Sequence, residues 1–122
     1  MKKEVIIYWV TTGLISLMML FSGYSYFTNP EMKAAFTHTG FPDFFRVELG
    51  VAKILGVAAL LLPMVPAVVK NFAYAGFAII MVSAAFTHFS IGDPASAVMT
   101  PLVMLGILAV SYIYSGKLAA AN

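Results

Sequence analysis

Four long apolar stretches, about residues 5–27, 44–62, 67–90 and 95–115, account for most of the sequence, and only short runs of turn-forming and charged residues separate them. Each is close to the roughly 20 residues needed to cross a hydrocarbon layer of about 30 Å at a rise of about 1.5 Å per residue. Composition agrees with this reading. Of 122 residues, 61% are hydrophobic and 10% charged, against roughly 45–50% apolar and about 25% charged in soluble domains. A water-soluble fold this small cannot hide so much apolar surface, because small domains have a high ratio of surface to volume. The sequence therefore predicts an all-α, single-domain integral membrane protein over residues 1–122. Its expected form is an up-down four-helix bundle with the lipid bilayer as its main partner.

The punctuation between the stretches specifies the connections. Tyr8 and Trp9 lie about 18 residues from Tyr24 and Tyr26, or ~27 Å along a helix, which matches two interfacial aromatic belts. The first apolar run is longer than the 7–15 residues, roughly, of a signal-peptide core and has no clear small-residue cleavage site, so it is read as a retained helix. Asn29-Pro30-Glu31 reads as an N-cap followed by proline at the first helical position. A short interfacial helix is expected there, ended by Gly40 and Pro42. Pro63 and Pro66 predict a tight turn that makes the second and third long helices antiparallel neighbours. In Ile91-Gly92-Asp93-Pro94, Gly92 is expected to stop one helix, while Asp93 caps the next and Pro94 opens it.

Charge sets the orientation. Lys2, Lys3, Lys70 and Lys117 fall on the side of the termini and the 63–66 turn, whereas Lys33 and Arg46 on the other side are offset by Glu31, Asp43 and Asp93. The positive-inside rule then places both termini in the cytoplasm, which makes this a multi-pass protein of the cell's inner membrane. Seven scattered Lys/Arg residues and a net charge of +2 give no basic stripe for nucleic acid. The absence of cysteine removes disulfides, thiolate nucleophiles and iron–sulfur ligation. Two histidines without an H-x-x-x-H spacing do not make a zinc site, so no metal is expected. His38 is read as a solvated loop residue. No Ser-His-Asp order, phosphate-binding glycine loop or paired carboxylates are present.

The informative residues are the ionisable ones that the spans carry despite a cost of roughly 2.5–3.5 kcal/mol for a Lys, Arg or Asp at a helix centre. Arg46, Glu48 and Lys53 lie in the second long helix and His88 in the third. If Asp43 and Asp93 mark one boundary, Glu48 and His88 both lie about 7–8 Å inside it and Lys53 about 15 Å inside. Gly50 and Gly56 flank Lys53, leaving room for a neighbouring backbone or a ligand. Gly76, Ser83 and Thr87 form a small-residue strip suited to close helix packing or to a homodimer. Glu48, Lys53 and His88, with Arg46, Asp93 and Tyr24, are the candidate ligand-binding set. The alternative is a buried hydrogen-bonded cluster that only fixes helix register. For Asp93 the alternative is a cap, and for Tyr24 a belt residue.

The stretches Gly40-Phe41-Pro42, Leu49-Gly50-Val51-Ala52-Lys53-Ile54-Leu55-Gly56 running to Leu62-Pro63, Lys70-Asn71-Phe72-Ala73-Tyr74-Ala75-Gly76-Phe77 and Thr87-His88-Phe89-Ser90-Ile91-Gly92-Asp93 resemble the DoxX-like family of membrane proteins. The resemblance runs through nearly the whole chain and includes Lys53, His88 and Asp93. It implies a four-span bundle. Some relatives are described as subunits of thiosulfate:quinone oxidoreductases or of membrane oxidoreductase complexes, and more distant ones as assembly factors for ion-channel receptors.

Together these readings lead to the expectation of an intramembrane polar pocket that binds a small lipophilic molecule such as a quinone, in an accessory subunit of a membrane oxidoreductase system. Lys53 would hydrogen-bond a carbonyl, His88 would relay a proton and Glu48 would orient them. The competing expectation is a noncatalytic assembly protein that binds a partner's transmembrane helix. A proton-coupled transporter is a third.

Overall fold

A computed structural model describes residues 2–121. The chain is all-α: α1 (Lys2–Thr28), α2 (Pro30–Thr39), α3 (Asp43–Leu61), α4 (Ala67–Ser90) and α5 (Ala95–Ala121), with no strand among the described residues. α1, α4 and α5 are each long and apolar enough to cross a membrane. α3 has 19 residues and carries Asp43, Arg46, Glu48 and Lys53, a charge load that sets it apart from the other three long helices.

α1 is apolar nearly all round, as a helix between protein and lipid should be. Its inward stripe, Tyr8, Thr12, Ile15, Ser16, Met19 and Gly23, recurs at three- and four-residue spacing. Large apolar side chains such as Leu17, Phe21, Phe72, Phe86 and Phe89 point away from the protein, at 67–74% exposure. So much outward apolar area is stable only against lipid or another apolar surface.

The helix ends follow local chemistry. The Asn29 side chain accepts from the Glu31 amide at 3.0 Å, and Pro30 occupies the first position of α2, where a missing N–H costs nothing. Gly40, at φ 87°, ends α2. Gly92, at φ 78°, does the same after α4, allowing the Asp93 amide to reach back to the His88 carbonyl at 3.0 Å. Both use the left-handed conformation that glycine adopts without strain. α5 begins at Ala95 and not with Asp93 as a cap, because the Asp93 carboxylate is taken by other partners. α5 also runs on to Ala121, past the expected end near residue 115, through good helix formers such as Lys117, Leu118 and Ala119.

α1 makes its main contacts with α3 on one side and α5 on the other, α5 packs on α4, and the thinner α3–α4 contact closes the ring. The close approach of α1 to α3 depends on Gly23 and Gly50: a Cβ on Gly23 would lie 3.1 Å from the Gly50 carbonyl oxygen. Gly56 accepts the Phe77 ring of α4, which would be 2.5 Å from a Cβ there. The glycines either side of Lys53 thus serve helix packing and not ligand access. Ile15, Met19, Val57, Leu60, Tyr74, Phe77, Met81 and Leu108 form the core. Next to it Ser111 joins Thr12 and Tyr74 through two 2.6 Å hydroxyl hydrogen bonds, linking α1, α4 and α5.

Candidate functional site

Because α3 and α4 touch only over part of their length, a cavity of about 570 Å³ opens between them. Leu49 and Lys53 line it from α3, and Ile80, Ser83, Ala84, Thr87 and His88 from α4. α2 supplies another wall through Met32, Ala35, Phe36 and Thr39. Tyr26, Phe36, Phe41 and Phe45 interlock beside it, with the Tyr26–Phe36 and Phe41–Phe45 ring centres each 5.0 Å apart. The interior is therefore mainly apolar and aromatic, with a few polar groups.

Lys53 is buried at 5% exposure. Its ammonium donates to Ser22 Oγ at 2.8 Å and to Tyr26 Oη at 2.5 Å, and lies 4.3 Å from the centre of the Tyr26 ring. Ser22 and Tyr26 are one helical turn apart on α1, so a single face of that helix holds the amine. Two of its three donors are thereby used, and no carboxylate pairs with it among the described residues. A cation so placed is stabilised only by hydroxyl dipoles and a ring face, which leaves one donor and most of its charge for whatever enters the cavity.

His88 occupies the other polar part of the lining. Its Nδ1 lies 2.6 Å from Asp93 Oδ2, and Asp93 Oδ1 lies 2.9 Å from His38 Nε2 on α2. Asp93 thus bridges two imidazoles, and these hydrogen bonds, His38 first, hold its carboxyl below the ordinary value of 3.8. An ionised carboxylate only accepts, so both ring nitrogens facing it carry hydrogen. In the neutral ring this leaves Nε2 of His88 as the nitrogen with a lone pair, on a side chain that lines the cavity.

The six candidates separate in the structure. Lys53 and His88 line the cavity; Asp93 stands behind His88 and orients it. Arg46 donates to the Tyr26 main-chain carbonyl and, at 3.0 Å, to Asp43, fastening the start of α3 to the end of α1. Glu48 is exposed and makes no ion pair or hydrogen bond among the described residues, so it does not join Lys53 and His88. Tyr24 points outward at 61% exposure, and Tyr26, two residues on, takes the inward place. His38, expected to be merely solvated, is bound to Asp93 while remaining 62% exposed. Ser22 and Tyr26 carried a signal in their four-residue spacing. The link from His38 to Asp93, 55 residues apart, carried none.

Helices of this length and outward apolarity, with a cavity between them lined by a buried amine and an imidazole, are those of a small helical membrane protein. The chain belongs to the DoxX-like family, whose profile matches residues 10–111. No curated protein and no solved structure matches the chain significantly.

Proposed function

We propose that this protein holds a small lipophilic molecule, a quinone, in the cavity between α3 and α4, and that it serves as an accessory subunit of a membrane oxidoreductase system. In this reading α3 crosses the membrane with α1, α4 and α5 as an up-down four-helix bundle. Both termini lie on the cytoplasmic side of the inner membrane, and α2 lies at the opposite interface. The observation that carries the reading is one cavity with apolar and aromatic walls that also presents Lys53 and His88. Lipophilic ligands are recognised in this way, with apolar area supplying affinity and a few fixed polar groups supplying orientation. Lys53 donates to a ring oxygen and His88 contacts a second, with Asp93 fixing its imidazole.

The test is mass spectrometry of lipids extracted from protein purified in mild detergent, together with thermal shifts on adding a short-chain quinone. A bound quinone and a shift abolished by Lys53→Met are expected. No bound quinone and no Lys53-dependent shift would discard the reading.

A second reading is supported by Glu48, a carboxylate exposed on the outer face of α3 without a partner among the described residues. There the protein is a noncatalytic assembly factor and Glu48 pairs with a polar group on another protein's transmembrane helix. A cross-linked stoichiometric partner lost in Glu48→Gln and retained in Lys53→Met favours it. The open surface at Gly76, which has no atom within 4 Å of a built Cβ, offers a place for such a helix or for a second copy.

A further inference from the structure

The polar groups of the cavity are not equivalent, and their hydrogen-bonding polarity narrows the ligand. Lys53 can only donate, and two of its three donors are already placed on Ser22 and Tyr26. The Tyr26 hydroxyl accepts from Lys53, so its own hydrogen is available to the cavity it lines. That region is rich in donors. His88, in its neutral form, is the reverse: Nδ1–H is committed to an acceptor-only carboxylate, which leaves Nε2 as the lone-pair nitrogen of a ring that lines the cavity. Asp93 is held in place by His38 from the other side, so the carboxylate, and with it the His88 tautomer, is fixed from two directions. The hydroxyls of Ser83 and Thr87 also line the cavity, but they rotate to donate or accept and do not discriminate.

A benzoquinone brings two acceptors. One meets Lys53 well, whereas the other would face the lone pair of His88 and leave two acceptors opposed. A hydroquinone brings two hydroxyls, each able to accept from Lys53 or donate to His88. We propose that the cavity is selective for the reduced, hydroxyl-bearing form of its aromatic ligand, and that Asp93 sets this selectivity by fixing the tautomer of His88. The inference rests on the cavity being a site for quinone-type ligands.

The experiment measures affinities of a short-chain alkyl hydroquinone and the matching benzoquinone for the whole protein in nanodiscs, without oxygen. The wild type is expected to favour the hydroquinone by about tenfold or more, the worth of one hydrogen bond against an unpaired group. Asp93→Ala frees the imidazole to adopt either tautomer, and His88→Gln replaces it with an amide that both donates and accepts. Both are expected to bring the ratio towards one. Lys53→Met removes a donor used by both forms, so it should weaken both while preserving the ratio. Equal wild-type affinities, or a ratio unchanged in both Asp93→Ala and His88→Gln, overturn the selectivity and leave the cavity as a ligand site. Failure of both compounds to bind the wild type overturns the functional reading itself.

Discussion

The His38 Nε2 of α2 lies 2.9 Å from Asp93 Oδ1 in the α4–α5 connection, across 55 residues of sequence. This contact ties the short helix that walls the cavity to the α4–α5 connection, and through Asp93 it reaches His88 on the cavity lining. A surface histidine and a cavity histidine thereby share one carboxylate.

That shared carboxylate makes stability depend on acid pH in a defined sense. The Asp93 carboxyl is held below its ordinary value of 3.8 by hydrogen bonds from His38 and then His88. A lowered carboxylate stabilises the fold above its unfolded value, and that stabilisation is lost as pH falls through the folded one. Thermal unfolding followed from pH 6 downwards, roughly to pH 3, should show an acid limb that Asp93→Asn and His38→Ala each make shallower, with the share of Asp43, held low by Arg46, remaining. An unchanged limb in both variants contradicts the assignment.

The glycines should divide by what surrounds them. Gly56→Ala puts a methyl against Phe77, a ring only 2% exposed, and should cost about 1–3 kcal/mol by overpacking. Gly23→Ala meets the Gly50 carbonyl oxygen, backbone that cannot swing aside, and should behave similarly. Gly50→Ala meets the Phe27 ring, which is 44% exposed and free to turn, so it should be milder. Gly13→Ala and Gly106→Ala meet nothing within 4 Å and should be neutral or gain up to about 1 kcal/mol from helix propensity. Unfolding in detergent, monitored by circular dichroism, ranks all five.

Ser111 holds two hydroxyls at once. Ser111→Ala removes two buried hydrogen bonds at once, to Thr12 and to Tyr74, each 2.6 Å long, and should cost about 1–3 kcal/mol. Tyr74→Phe leaves the Thr12–Ser111 bond intact and should cost less. The double variant should fall short of the sum of the two, because each single change already removes the Tyr74–Ser111 bond. A strictly additive cycle would show that this bond contributes nothing.

The lack of cysteine makes topology directly measurable. The proposed topology, with four crossings and cytoplasmic termini, would place Lys33 outside and Met64 and Lys117 inside. A membrane-impermeant maleimide on intact cells should label Lys33→Cys and spare Met64→Cys and Lys117→Cys. Labelling of Met64→Cys from outside would mean that α3 does not cross.

The sequence alone specified the helices and the membrane. Helix starts and stops lie in local chemistry: Asn29 and Pro30 open α2, and Gly40 and Gly92 supply left-handed stops, so nearly every boundary was legible. So was the family, and so was the unusual standing of Lys53 and His88, which the structure places on one cavity, because a charge or an imidazole inside an apolar run has a cost that composition alone reveals.

What the sequence left open is which way each side chain turns and what it meets. Glu48 and Lys53 stand five residues apart on one helix, yet one faces outward and the other is buried against Ser22 and Tyr26, a choice made by the Gly23–Gly50 approach of α1 to α3. Tyr24 and Tyr26 exchange roles for the same reason, since two residues on a helix are about 200° apart and only the neighbouring helix decides which is inside. The Asp93 bridge joins His38 of α2 to the end of α4, and His38 lies 55 residues from Asp93 in the chain. Local chemistry fixes the elements because it acts within one turn; the site depends on how separate helices are rotated against each other, and only their packing sets that.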